Sequence, residues 1–464
     1  VYLDKDMGIN SREKQRQRIC IIGAGIAGLS AAYDLSRWGY DVIILESLDE
    51  VGGLASSLDV DGKPIERFYH FISKYDRELI AFVQELELAD KLHWEQCKTS
   101  FFYNGKLYRF NTPFDLLRFT PIPFDQRIRF GLNIIQSRFR RSWLTLDKLS
   151  AKSWLTDKVG QRAYDVIWDP LLRIKFGKYH EQVSAAWIWH RIHRVATSRR
   201  RIWESEVFGY LDGGSETLIR TLVNCVQKLP NVELRINADV CRILTKNDHV
   251  AGVELTENKE GIPCDYVIST VALPKLHGLI PKNDTSYWRR IQKIDYLGVV
   301  CGLLVLSQPL TDNFWTNIHD PNIAFNGIIE HTNLNKSVNV SGNSIVYVPH
   351  YLHTSEPRYR YSDGDLLEEF VDGLSQVNPK FNRSWIKEYH ISRAEHAQAI
   401  CTVSFADVVP SHETDIGGLY ITDSTQYYPE DRTISAAIRL GRTVSSMIKS
   451  EANLNNQPRI ILQR

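Results

Sequence analysis

"RICIIGAGIAGLSAAYDLSRWGYDVIILESLDEVGGLASS", residues 18–57, carries two glycine clusters separated by a second apolar run and an acid. Ile19, Cys20, Ile21 and Ile22 form the short unbroken apolar run of a parallel strand buried on both faces. "AGLSAAYDLSRWG" then reads as a helix closed by Gly39, and "YDVIILE" as the next strand. Between strand and helix, Gly23, Gly25 and Gly28 suit three tasks: a tight turn, close backbone approach to a pyrophosphate, and close helix–strand packing.

Glu46 ends the second strand 18 residues after Gly28. A carboxylate there accepts hydrogen bonds from a ribose diol and repels a 2′-phosphate, which favours FAD or NAD over NADP. The expected dinucleotide cradle is therefore Gly23, Ala24, Gly25, Ile26, Ala27 and Gly28 with Glu46 and Ser47. The second cluster, Gly52 and Gly53 followed by Leu54 and Ala55, lies just after the acid. A loop without side chains there can pass close to a pyrophosphate and ribityl chain. Simple NAD enzymes have no need of it, so the pair of clusters points to one long ligand held at two places.

The chain's 464 residues, 43% hydrophobic and 24% charged, imply a globular protein of two or three domains. A formal net charge of +1 argues against nucleic acid as the main partner. No apolar run reaches the roughly 18 residues of a membrane span, and the first residues lack the apolar stretch of a signal peptide, so a cytoplasmic location is expected. Seven scattered cysteines suggest neither a disulfide framework nor a metal site.

Element order suggests a flexible arm over 1–17, an FAD-binding domain from 18–66, 208–284 and 396–450, a substrate domain from 67–207 and 285–395, and a tail over 451–464. The part from 67 to 207 reads as a helical insertion, with Ile128, Leu132, Ile135 and Phe139 at helical spacing. Its stretch "LRFTPIPFDQRIRFGLNIIQSRFRRSW", 117–143, holds six arginines and one acid. Three readings stay open: an interfacial helix meeting anionic lipid, a wall steering a phosphorylated substrate, or an ordinary helix with one buried and one solvated face.

"GAGIAG…LE…VGGLASS" resembles the N-terminal fingerprint of the flavin-containing amine oxidase, protoporphyrinogen oxidase and phytoene desaturase superfamily. "GYLDGGSETLI" and "GLYITDSTQYYPEDRTISAAIRLGR" extend the resemblance along most of the chain. It implies an α/β fold, a Rossmann-type FAD-binding domain with an inserted mixed α+β substrate domain, and oxidation in which hydride passes from a substrate C–H bond to flavin N5. The resemblance further implies that the backbone of Val240 meets adenine, that Asp423 binds a ribityl hydroxyl, and that Thr433 and Ile434 face the pyrimidine end of the ring. A helix start there favours negative charge on reduced flavin. Leu54 departs from the pattern, since many relatives carry arginine at that position.

"IERFYHFISKYDRELIAFVQEL" and "NIHDPNIAFNGIIEHTNL" resemble stretches of UDP-galactopyranose mutase, a non-redox flavoenzyme, and this is the alternative reading. That likeness implies His70 near the flavin and the strand of Glu330 and His331 near substrate, only one of the two pointing inward. Gly327 replaces an arginine of the mutase. Catalytic candidates are His70, Glu330 and Tyr427, the last beside Tyr428 as a cavity wall. Lys175 does not match the lysine motif of amine oxidases and reads as a surface or salt-bridged residue; Cys401 lacks the motif of covalent flavin attachment. The partner expected is a small molecule, with amines, tetrapyrrole-like compounds, isoprenoids and phosphate esters all compatible.

Overall fold

A computed structural model describes residues 16–455 except 200, 202, 282–284 and 339–340, so most of the expected arm and tail lie outside the described residues. The two apolar runs of the fingerprint are the centre of a five-stranded parallel sheet, ordered Val232–Arg235, Asp41–Leu45, Arg18–Ile22, Tyr266–Ser269, Leu419–Ile421. Alternation divides its core. Ile19, Ile21, Val42, Ile44 and Ile268 face one side, where helices Ile26–Arg37 and Ile434–Asn455 contribute Leu29, Ile438 and Val444. Cys20, Ile22, Ile43, Leu45 and Val267 face the other, against the antiparallel strands Val240–Lys246, His249–Leu255 and Gly261–Pro263. Burial on both faces explains why these strands read as continuous apolar runs.

The chain leaves the central strand in both directions, reaching 41–45 and 232–235 on one side and 266–269 and 419–421 on the other. In open sheets of this kind the crevice for a ligand lies at the carboxyl ends of the strands, where the order reverses. Here that point falls between Ile22 and Ser269.

A second sheet has seven strands, ordered Ile386–Ala399, Tyr296–Leu306, Ser344–Leu352, Gly327–Glu330, Trp315–Ile318, Thr99–Tyr103, Lys106–Arg109. Helix Asp363–Val377 covers one face with Leu366, Phe370 and Leu374. Its other face turns Val299, Cys301, Leu303 and Tyr347 toward the interior. The reading of 67–207 as helical is corrected at its start, because Leu92–Gln96, Thr99–Tyr103 and Lys106–Arg109 are strands. The turn between the last two is Asn104-Gly105, both at positive φ (51° and 71°), the tight hairpin that Asn-Gly favours. Beyond residue 110 the insertion is helical, dominated by Phe124–Phe139, Ala151–Val159 and Ala185–Ser198.

The first and last helices are in backbone contact. A Cβ on Gly441 would stand 2.2 Å from the Ala27 carbonyl oxygen, and Ser445 Oγ donates to Ala31 O at 3.3 Å. Gly441→Ala gains about 1 kcal/mol of helix propensity. The clash outweighs it, because separating two packed helices typically costs about 1–3 kcal/mol. The expected outcome is a lower urea midpoint for Gly441→Ala with unchanged slope.

Candidate functional site

Four loops meet at the carboxyl edge of the parallel sheet. Gly23, at φ 103°, donates its N–H to Leu45 O at 2.8 Å, and a Cβ there would lie 2.5 Å from Thr270 Oγ1. A Cβ on Gly28 would sit 2.1 Å from Gly23 O, so this glycine sets how closely the helix approaches the strand. Gly25 differs from both. It is the N-cap residue of helix Ile26–Arg37, its φ of −73° is ordinary, and a Cβ would meet nothing within 4 Å. Its Cα faces open space in front of a helix N-terminus, the setting in which backbone N–H groups receive an anion.

The second glycine cluster is stitched to the first. Gly52 N–H donates to Ala24 O at 2.8 Å, Gly25 and Gly52 form a parallel bridge, and the Cβ position of Gly53 lies 3.4 Å from Gly25 Cα. Glu46 secures the same junction, its Oε2 accepting from Ala24 N–H at 2.8 Å and its Oε1 from Leu48 N–H at 3.0 Å and Ser47 Oγ at 3.4 Å. Ala238 N–H donates to Glu46 O at 2.7 Å, which brings the strand beginning at Val240 beside the acid. Leu54 is 37% exposed, whereas Ala55 is buried and its carbonyl accepts from Ser215 Oγ at 2.6 Å. The nearest guanidinium to this loop in sequence is Arg67, paired with Glu50 at 2.8 Å, and its buried Nε has no hydrogen-bond partner among the described residues. The pair with Glu50 ties Arg67 to this loop.

On the far side, Asp423 stands two residues beyond the edge strand Leu419–Ile421. Its buried carboxylate accepts from Thr425 N–H at 2.7 Å, Tyr296 OH at 2.9 Å and Leu273 N–H at 3.3 Å, and burial raises its pKa. Thr433 caps the 22-residue helix Ile434–Asn455, its Oγ1 accepting from Ala436 N–H at 3.0 Å. A cavity of about 400 Å³ opens beside this cap, bordered by Thr433, Ser435, Arg439, His190 and Asp431. Tyr427 is half-buried, and burial followed by the Asp423 carboxylate keeps its hydroxyl protonated.

Glu66, His70 and His331 form a group that the sequence did not assemble, with Glu66 and His331 buried and His70 half-buried. Glu66 Oε1 accepts from Ser215 N–H, at the start of helix Ser215–Gln227, at 2.8 Å; His70 Nδ1 is 3.9 Å from Oε1 and His331 Nε2 3.9 Å from Oε2. Tyr347 OH donates to Glu66 O at 2.7 Å and meets the His331 ring edge-on. Burial raises Glu66 to about 7, and burial lowers His70 to about 3 and His331 to about 4. Both imidazoles are thus neutral at neutral pH, and His70 Nδ1 is buried without a hydrogen-bond partner among the described residues. Tyr69, Phe71 and Trp315 form an aromatic wall alongside, with Tyr69 5.2 Å from Trp315 and 6.2 Å from Tyr347.

Glu330 does not join this group. Its carboxylate accepts from Leu310 N–H (2.9 Å), Thr311 N–H (2.7 Å) and Ser344 Oγ (2.8 Å), tying the 310–311 turn to the sheet. Of the adjacent pair, His331 is the one turned toward Glu66. Lys175 also departs from expectation: it is 5% exposed and forms no ion pair among the described residues. Its Nζ lies 4.5 Å from the Tyr351 ring centre and 4.9 Å from that of Trp187, and burial lowers its pKa to about 7. Arg432 donates to Tyr351 OH at 2.8 Å, and Asp431 pairs with Arg191 at 2.5 Å. Spacing alone gave no signal for this convergence, since its members come from separate elements.

A family model described as flavin containing amine oxidoreductase matches residues 26–425, and the chain belongs to that family. It is an FAD-dependent oxidoreductase. Among curated relatives, 15-cis-phytoene desaturase of Synechococcus elongatus is 25% identical over 64% of this chain and 66% of its own length, just under two thirds. Among solved structures, putrescine oxidase bound to putrescine is 16% identical with a TM-score of 0.71, covering 94% of this chain and 99% of that one. Reduced UDP-galactopyranose mutase is 19% identical with a TM-score of 0.71, covering 95% and 98%. The last two likenesses establish the fold alone, which serves unrelated reactions.

The residues present fit FAD: open space in front of Gly25, a second backbone loop joined to it, a carboxylate at the strand end and a long helix starting at Thr433. Gly25→Ala and Gly28→Ala should separate cofactor approach from folding. Gly25→Ala is expected to keep the wild-type unfolding midpoint without cofactor while losing tenfold or more in FAD affinity; Gly28→Ala should lower the midpoint itself. Fluorescence titration with FAD and urea unfolding check both.

Burial also lowers the pKa of His190, His319 and His350 to about 3, as it does that of His70. A folded pKa below the unfolded one contributes stability that is present above pH ~6.5 and lost as pH falls toward the folded value. Each imidazole adds a slope of up to about 1.4 kcal/mol per pH unit. Glu66, raised from 4.5 to about 7, acts with the opposite sign, as do Asp76, Glu206, Glu330, Asp423 and Glu430, whose carboxyls burial also raises, so the imidazole contribution is read by difference between variants. His350→Asn is expected to remove one imidazole contribution, so that between pH ~6.5 and ~5 its unfolding free energy falls less, or rises more, than that of the wild type by up to about 1.4 kcal/mol per pH unit, as measured by urea unfolding across pH.

Proposed function

We propose that the chain dehydrogenates a small substrate with an apolar body, lodged between the aromatic wall of Tyr69, Phe71 and Trp315 and the FAD site. In this reading residues 18–66, 208–284 and 396–450 serve the cofactor, while 67–207 and 285–395 serve the substrate. The observation that carries it is the run of ring contacts linking Tyr69, Phe71, Phe314, Trp315 and Tyr347 beside His331, an apolar lining suited to a substrate body. Gly327, where the mutase has its arginine, lies inside the sheet and offers no charge. The kinship with a desaturase, a curated relative over 64% of this chain, agrees with an apolar substrate.

Gly23 to Gly28, Gly52 and Gly53 would hold the pyrophosphate by backbone, Glu46 the ribose, Asp423 a ribityl hydroxyl, and Thr433 with Ile434 the pyrimidine end. Bound FAD supplies the acceptor for the electron pair of the broken C–H bond. Removal of a second hydrogen from the neighbouring carbon, as a proton, leaves a double bond. Glu66, which burial raises to about 7, is the group suited to accept that proton, and the neutral His70, its Nδ1 3.9 Å from the Glu66 carboxylate, relays it. Tyr427, held protonated, and Tyr69 orient the substrate and exclude water.

Anaerobic stopped-flow mixing of the FAD-loaded protein with a long acyclic polyene and, separately, with a primary diamine tests the proposal. The polyene is expected to bleach the flavin's visible absorbance. His70→Gln should slow that bleaching by ~10²-fold at constant FAD content. Bleaching by the diamine alone would overturn the apolar assignment, and an unslowed His70→Gln the proton role.

A further inference from the structure

Helix Phe124–Phe139 is inside out. Its buried positions are Phe130, Asn133 and Ser137, two of the three polar, whereas Phe124, Ile128, Leu132, Ile135 and Phe139 are 37–69% exposed. At about 100° per residue these five outward side chains fall within an arc of about 80°, a continuous stripe roughly 24 Å long. Neighbouring segments enlarge it, with Phe114 63% exposed and Leu144 62%. Among the described residues, nine of the eighteen exposed large apolar side chains lie between Phe114 and Leu149, so the patch is a feature of this segment and not a sample of an ordinary surface.

Arginines border the stripe on both sides. Arg127 and Arg138 lie along one edge and Arg129 and Arg140 beyond the other, with the exposed Arg118 and Arg141 at the ends. Arg127 donates to the carbonyls of Leu117 and Ile122, Arg138 to that of Ala196, and Arg140 to that of Ser142, which fixes the guanidinium groups without neutralising them. Among the described residues none of Arg118, Arg127, Arg138, Arg140 and Arg141 forms an ion pair. A second copy of the chain would bring two such cationic borders together with Asp125 as the one acid of each helix, whereas an anionic surface supplies the missing counter-charge. No described helix is long and apolar enough to cross a membrane, which leaves seating in the plane of the interface.

We propose that this face docks on an anionic lipid bilayer, with the Phe124–Phe139 stripe among the acyl chains and the flanking arginines at the lipid phosphates. The helix then lies parallel to the surface, and the remainder of the molecule stays in water. The assignment is independent of the reaction proposed above.

Sedimentation of the FAD-loaded full chain with vesicles of phosphatidylcholine alone, or of phosphatidylcholine with phosphatidylglycerol, tests it. Binding is expected to the mixed vesicles, to weaken at high salt, and to fall at least tenfold in a Phe124→Ser, Leu132→Ser, Phe139→Ser triple variant that keeps its visible flavin spectrum. Leu132→Trp should show a blue-shifted emission on addition of mixed vesicles. Wild-type protein left in the supernatant with mixed vesicles would overturn the proposal. So would equal binding by the triple variant, an unshifted emission from the Leu132→Trp variant, or a wild-type dimer that the triple variant dissolves.

Discussion

The structure depends on a junction of backbones. Ala24 is its centre, because its N–H is held by the Glu46 carboxylate and its carbonyl by the N–H of Gly52. One residue thereby fixes the end of the second strand and the second glycine loop relative to the first helix. Side chains would obstruct this arrangement at Gly23, Gly28 and Gly52, each of which lacks room for a Cβ on the protein side. Gly25 lacks a side chain for another reason, since the space in front of it belongs to no protein atom. Distinguishing the two cases separates glycines required by folding from a glycine that only a ligand requires.

From that junction the rest of the cofactor edge follows. Parallel pairing brings Ile22, Leu45, Ser269 and Ile421 to one side of the sheet, so whatever residue comes next in each loop joins the same crevice. Gly23, Glu46, Thr270 and, one residue beyond Thr422, Asp423 come from segments up to 400 positions apart. The contact between Gly441 and Ala27 closes the unit by packing its last helix against its first.

This edge was legible in the sequence because its determinants are local: apolar runs set the strands, glycines set the turns and one acid follows a fixed spacing. The substrate side was less legible for physical reasons. The Asn104-Gly105 turn marked a hairpin that the surrounding arginines and aromatics disguised as helical insertion. Lys175 read as a surface or salt-bridged residue because burying an ammonium is costly, and its position depends on the rings of Trp187 and Tyr351 and on the charge of Asp431, partners that spacing does not reveal. Glu330 and His331 could be divided by strand alternation, but which one faced inward depended on the amides of Leu310 and Thr311, a tertiary fact. His331 gained its place by that elimination.

The helix at 124–139 shows the same limit from the other direction. Its period was correct, and a period states which residues share a face without stating which face meets the core. The usual assumption, that the apolar side turns inward, fails because its inner side meets polar groups that need partners: Ser137 O accepts from His193 Nδ1 at 2.8 Å, and Arg138 reaches across to Ala196 O. These bonds set the helix's rotation, and with that rotation the five apolar residues have nowhere to go but outward. A sequence that met only water there would gain from replacing them with polar residues, at no cost to the interior. Their presence, together with uncompensated arginines around them, is the pattern of a surface matched to a medium that is apolar beneath and anionic at its boundary.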